Sequence, residues 1–283
     1  MKFDELPIGF ECAGARLEGV LCRPERAAQT GVVIVVGGPQ YRAGSHRQFV
    51  SLARSLAAAS HAVLRFDVRG MGDSEGTPLG FEHITPDIAA ALDALQRELP
   101  SVRRAVLWGL CDGASAALLY LNEHTDPRVA GLALANPWVR TQVSLARTHV
   151  KHYYLQRVRE PAFWSKLLRG GVAWSALAGS INSLRTAFVP TPLAHAPAAY
   201  PQRMAAAWAR FDGPVLLMLS EHDYTAREFE EHSRTDAAWQ RALTTRAPTR
   251  VLLQGADHTC SQPAAQDALQ RATLDWLHAC FAA

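Results

Sequence analysis

Residues 105–120 read AVLWGLCDGASAALLY: an apolar run from Ala105 to Trp108, the turn Gly109-Leu110-Cys111-Asp112-Gly113, and a run of small, helix-favouring residues from Ala114 to Tyr120. The order strand, tight turn, helix is the outline of a nucleophile elbow. In such a turn the nucleophile takes a strained backbone conformation that brings its neighbours against the flanking strand and helix, where only residues without a Cβ fit. Gly109 and Gly113 bracket Cys111 at that spacing. A cysteine stands where this turn usually carries a serine.

Outward from the elbow the same alternation continues. Two short alternating stretches, 8–13 and 16–23, read as an N-terminal hairpin. GVVIVVGGPQ, from Gly31, is the continuous β-branched run of a strand buried on both faces of a parallel sheet. A helix over 48–60, the strand AVLRFDV, the loop RGMGDSEG, a helix over 85–99 and the strand 104–108 follow; beyond the elbow helix comes VAGLALANP. Later the chain resumes with PVLLMLS, a helix over 228–243, RVLLQG and a last helix over 264–281. Strands alternating with helices of this length predict an α/β fold, a doubly wound and mostly parallel sheet. At 283 residues the chain suits one large α/β domain, or a core carrying an insertion.

Charge marks the insertion. The net charge is only +3, yet residues 139–211 hold ten Lys/Arg against the single acid Glu160. The expected division is therefore a first core part over 1–138, a basic helical cap over 139–211, and a second core part over 212–283. Placed between two core strands, such a cap covers the carboxyl ends of the strands, where ligands bind in these sheets. Its Arg147, Lys151, Arg157, Arg159, Lys166 and Arg169, mixed with Tyr153, Tyr154, Phe163 and Trp164, suit an anionic or carrier-bound substrate, an acidic carrier protein or a membrane surface. The plain alternative is a solvated helical face. No recognised nucleic-acid-binding module accompanies the charge.

Other classes are disfavoured. The start, MKFDELPIGF, lacks the pattern of a signal peptide, and no apolar run reaches membrane length, so a cytoplasmic protein is expected. Five cysteines without short metal-ligand spacing argue against a disulfide framework and a zinc site. Neither a phosphate-binding loop nor a dinucleotide fingerprint is present. No metal or organic cofactor is expected.

A thiol nucleophile needs a base to take its proton and an acid to hold that base. VLLMLSEHD places Asp223 just past one late strand, and RVLLQGADHT places His258 just past the next. The chain order Cys111, Asp223, His258 is the nucleophile, acid, base order of the α/β-hydrolase fold. Against these, Cys12, Cys22, Cys260 and Cys280 read as packing residues. His46, His83 and His222 read as structural or solvated, Glu221 ranks behind Asp223, and Asp67 and Arg69 read as loop braces.

With these residues in view, FDVRGMGDSEG resembles the strand and loop of α/β-hydrolases that carry Asp-x-Arg-Gly-x-Gly-x-Ser-x-Gly, here Asp67, Arg69, Gly70, Gly72, Ser74 and Gly76. Together with GGPQYRAGSHRQF, GLCDGASA and GADHT it resembles the exosortase A system-associated hydrolases, type 1, across nearly the whole chain. That resemblance implies a cytoplasmic hydrolase encoded near exopolysaccharide and protein-sorting genes, and names no substrate. An elbow cysteine is also familiar from dienelactone hydrolases and polyester synthases.

The oxyanion hole is expected to use the Asp112 N–H and one N–H from the loop after the GVVIVVGG strand. That loop reads Gly37-Gly38-Pro39-Gln40 in place of the common His-Gly-x form. Proline has no N–H to give, so the second donor is assigned to Gln40. The resulting reading is an esterase or thioesterase acting on a small acyl substrate through an acyl-enzyme. An acyltransferase using the same residues is the nearest rival, and a non-catalytic protein docking through its basic cap is the rival from another class.

Overall fold

The computed structural model describes residues 2–26, 29–38, 40–140 and 198–281. The hairpin expected at the N-terminus is longer than its alternating stretches: β1 (Phe3–Cys12) pairs antiparallel with β2 (Ala15–Pro24) over its full length. Ala13 and Gly14, both at positive φ, turn the chain between them.

The apolar run starting at Gly31 supplies β3 (Thr30–Val35), all six residues of which are buried. After α1 (Gln48–Ala58) the chain enters β4 (Val63–Phe66), and after α2 (Thr85–Glu98) it enters β5 (Arg104–Leu110). The helix α3 (Asp112–Glu123) leads to β6 (Val129–Ala135). Beyond residue 198 come α4 (Tyr200–Arg210), β7 (Val215–Ser220), α5 (Tyr224–Thr235), α6 (Ala237–Thr245), β8 (Thr249–Leu253) and α7 (Pro263–Phe281). The strands form one sheet in the order β1-β2-β4-β3-β5-β6-β7-β8. Strands β4, β3, β5, β6, β7 and β8 run parallel, and β2 joins β4 antiparallel.

Successive strand residues point to opposite faces, so each strand feeds two cores. Val33, Val35, Leu107, Leu132 and Leu217 pack under α2 to α6. Val32, Ile34, Val106, Ala133 and Leu216 pack under α1 and α7, where Phe49 meets Trp108 edge-on at 5.8 Å. Full coverage on both sides explains why the central strands read as continuous apolar runs.

Two features depart from the expected pattern. The single helix over 228–243 is two helices, because Asp236 leaves the helical region at ψ 126 and its carboxylate accepts the N–H groups of Ala238 and Trp239. That is an N-cap, which starts a new helix rather than continuing the old one. The second feature is α4, which lies inside the stretch assigned to the cap. Its Met204 and Trp208 are fully buried in the core, and Trp208 meets Trp239 at 5.7 Å. Arg203 donates to Glu123 at 2.5 Å and Arg210 to the Asn122 carbonyl at 3.3 Å, so two of the ten basic residues brace α3. The compact unit containing the sheet comprises Met1–Val139 and Ala198–Ala283. The basic and aromatic positions of the expected cap that fall in 141–197 lie outside the described residues. Among the described residues no helix is long and apolar enough to cross a membrane.

Candidate active site

At the carboxyl end of β5 the chain turns through Cys111, which stands at φ 59, ψ −124 as the N-cap of α3. A positive φ at a non-glycine residue stores about 1–3 kcal/mol of strain and persists only where its surroundings hold it. Here the Cys111 N–H donates to the Ala135 carbonyl at 2.9 Å, and the Cys111 carbonyl accepts from Ala114 and Ser115. Ser115 Oγ lies 2.7 Å from the Trp138 carbonyl oxygen and accepts from the Trp138 N–H at 2.9 Å, fastening the helix start to the segment after β6. A Cβ on Gly109 would lie 2.5 Å from the Ala114 nitrogen, and one on Gly113 would strike the Val35 carbonyl. The two elbow glycines are therefore required by backbone contact on both sides of the turn.

Asp223 begins α5 and is buried, with 4% exposure. Its Oδ1 accepts the Thr225 N–H at 2.9 Å, an N-cap contact that leaves Oδ2 free to reach Nδ1 of His258 at 2.8 Å. His258 sits in the turn after β8. The two turns are tied together: Glu221 N–H donates to the Leu253 carbonyl, His222 N–H to the Ala256 carbonyl, and Gly255 N–H to the Glu221 carboxylate. Glu221 is thus a loop tie, and the acid that meets the histidine is Asp223.

The pKa of His258 is pushed up to about 10, first by the Asp223 hydrogen bond and then by one to the Cys111 side chain, against the opposing effect of burial. Both partners stabilise the imidazolium, so the three side chains form one coupled group. The other cysteines differ. Burial pushes the thiols of Cys12 up to about 12, and of Cys22 and Cys260 up to about 11, which keeps them protonated and weakly nucleophilic at neutral pH. All five cysteines are free thiols.

Asp67 is fully buried and braces two loops, accepting from the Arg42 N–H at 2.6 Å, the Arg42 guanidinium and the Asp73 N–H. Arg69 pairs with buried Asp87 at 2.5 Å. His46, His83 and His222 are exposed. Among the described residues no cluster of His, Cys, Asp and Glu is arranged to hold a metal.

Beside the elbow lies a pocket of about 300 Å³ lined by the apolar Val36, Val68, Met71, Leu79, Phe81 and Ile84 together with Gly37, Gly38 and Asp112. The segment 79–84 that closes it carries no sequence motif; its apolar residues became legible as a wall only in the folded chain. The Asp112 carboxylate lies against the Gly37–Gln40 loop: a Cβ on Gly38 would come 3.2 Å from its Oδ2. Gln40 Oε1 is buried with no hydrogen-bond partner among the described residues.

A mostly parallel sheet whose fifth strand ends in a strained, glycine-bracketed elbow, with a carboxylate and a histidine meeting on the turns after its last two strands, defines an α/β-hydrolase. The chain belongs to the serine aminopeptidase S33 family, whose profile matches residues 27–189, more than half of it. No curated protein matches it in sequence. Among solved structures it is similar to an esterase of Pyrococcus furiosus, at 16% identity over 99% of this chain and 94% of that one, with a TM-score of 0.64. The dienelactone hydrolase of Anabaena variabilis is 14% identical over 99% of this chain and all of its own, with a TM-score of 0.62. An α/β-hydrolase of a Penicillium species is 16% identical over 99% and 100%, at 0.64. At these identities the likeness is one of fold. The family is named for a serine, whereas the elbow of this chain carries Cys111.

Proposed function

We propose that this hydrolase cleaves an ester or thioester through an acyl-enzyme on Cys111, with His258 as base and then acid and Asp223 orienting it. The observation that carries the reading is the 2.8 Å contact between His258 Nδ1 and Asp223 Oδ2, which leaves Nε2 for the Cys111 thiol. The thiol gives its proton to His258 while its sulfur adds to the acyl carbon, and the carbonyl π pair moves onto oxygen. That oxyanion is received by the Asp112 N–H, with a second donor from the Gly37–Gln40 loop. Collapse expels the alcohol or thiol, which takes the proton from His258. Water then gives a proton to His258 and adds to the thioester, and the second collapse returns the proton to the sulfur.

A cysteine in this place suits activated acyl carbons, because a helix N-terminus and a protonated histidine both stabilise negative charge on sulfur. The apolar pocket next to the elbow supports an acyl group without charge at its far end. The structural neighbours named as an esterase and a dienelactone hydrolase are consistent with ester cleavage. The exosortase-associated resemblance adds a setting, the assembly of exopolysaccharide and the sorting of proteins.

The test is turnover of a graded panel of nitrophenyl esters and acyl thioesters by wild type and Cys111→Ala, with intact mass recorded during the reaction. Wild-type turnover with an acyl adduct, both lost in the variant, is the expected result. Full turnover by Cys111→Ala overturns the reading. Adding an alcohol or thiol acceptor to the same assay separates hydrolysis from acyl transfer, since the acyl-enzyme is common to both.

A further inference from the structure

Asp112 supplies more than a backbone donor. Among the described residues lining the pocket, its side chain is the one ionisable group. The carboxylate lies over the Cα atoms of the oxyanion loop: a Cβ on Gly38 would come 3.2 Å from Oδ2, and one on Gly37 would collide with Oδ1. Burial raises the pKa of this carboxyl, and the backbone N–H groups of Asp112 itself, Gly113 and Gly38 act against that effect. Among the described residues no arginine or lysine forms an ion pair with it, and the charge of His258 acts to lower its pKa.

Those three N–H groups flank the elbow where a substrate's carbonyl oxygen would gather charge. A carboxylate and a developing oxyanion cannot share them, because each N–H has one proton to give and like charges repel at contact distance. We propose that the Asp112 carboxylate is a built-in occupant of the oxyanion hole, which must swing out before the Cys111 thiol can be acylated. The inference rests on the Cys111 reading above. Its consequence is a conformational cost in the first step, since only the fraction of molecules with the hole vacated accepts a carbonyl. A substrate that fills the apolar pocket supplies the binding energy to displace the carboxylate; a small ester does not. The residue after the nucleophile thereby sets acyl selectivity while keeping the thiol idle in the absence of a fitting substrate.

Asp112→Ala removes the occupant and keeps every N–H donor. The probe is an alkyl trifluoromethyl ketone, whose carbonyl carbon takes the thiol sulfur and whose oxygen becomes the oxyanion, with the thiol proton passing to His258. The ketone should bind Asp112→Ala about ten- to a hundredfold more tightly than wild type, as expected for release of charge-assisted hydrogen bonds. Asp112→Asn, of the same shape without the charge, should fall between. Equal or weaker binding to both variants, with native circular dichroism, overturns the proposal. A second readout needs no chemistry at sulfur: in protein labelled with ¹⁵N-glycine, the amide protons of Gly38 and Gly113 should move upfield on Asp112→Ala. If they do not move, the carboxylate is not on those donors and the proposal fails. If neither wild type nor variant forms a ketone adduct, the Cys111 chemistry fails instead, and the amide shifts alone decide the occupancy of the hole.

Discussion

Replacing Gly109 by alanine tests whether the elbow is held by backbone contact. The added Cβ would lie 2.5 Å from the Ala114 nitrogen and the Gly113 carbonyl carbon, and 2.6 Å from the Gly113 oxygen. All three are main-chain atoms at the start of α3, so no side chain can rotate aside. Ordinary contact begins at 3.4 Å, which requires strand and helix to part by about 0.9 Å. Overpacking of this kind costs about 1–3 kcal/mol, a fall of roughly 2–10 °C in melting temperature for a protein of this size. Cys111, two residues on in the same turn, moves with the displaced backbone, and a shift near 1 Å in a reacting group lowers the rate about a hundredfold. The assay is kcat/KM on a nitrophenyl ester at 25 °C, beside thermal unfolding by circular dichroism. Gly131→Ala is the control: its Cβ would meet Phe281 Cζ at 2.8 Å and Trp276 Cη2 at 3.0 Å, side-chain tips at the opposite end of the sheet from the elbow. It should lower the melting temperature and keep the rate. A Gly109→Ala protein with wild-type rate and melting temperature, or equal rate losses in both variants, refutes the reasoning.

In Asp223→Asn the amide oxygen can still accept from Thr225, but its NH₂ would face Nδ1 of His258 and force the ring proton onto Nε2. That tautomer cannot take the thiol proton, so kcat should fall about 10³- to 10⁴-fold with little loss of stability; a change within tenfold counts against the assignment. The pH dependence follows from His258, whose pKa is about 10 in the folded protein against an ordinary 6.5. Because the folded state binds the proton more tightly, this stabilisation is complete below pH 6.5 and is lost as pH rises towards 10. The urea midpoints of wild type and His258→Gln should therefore converge across that window; divergence would show that the imidazolium is not the stabilised form.

The fold was legible because its signals are local. Glycines at 109 and 113, a β-branched run at 32–36 and strands spaced by helical lengths are statements about neighbouring residues, and backbone sterics with burial on two faces turn them into a mostly parallel sheet. The neighbourhood of Asp223 and His258 was legible for a related reason: like Cys111, each lies in the turn after a strand, and parallel strands bring their carboxyl ends to one edge. The break at Asp236 was less visible, because an aspartate within a helical pattern caps a new helix only if its backbone leaves the helical region. The placement of α4 was hidden altogether. Its arginines matched the basic segment in composition, whereas its burial depends on Trp208 meeting Trp239, 31 positions away.

What the sequence determined by itself was the order of strands and helices and the positions of Cys111, Asp223 and His258 after their strands, since periodicity and turn chemistry act within a few residues. What only the tertiary structure decided was the apolar pocket formed by residues from four separate stretches, the Gly38 N–H facing Asp112, and the direction of the Asp112 carboxylate. These depend on the distance between loops that follow different strands, and that distance is set by packing across the whole sheet.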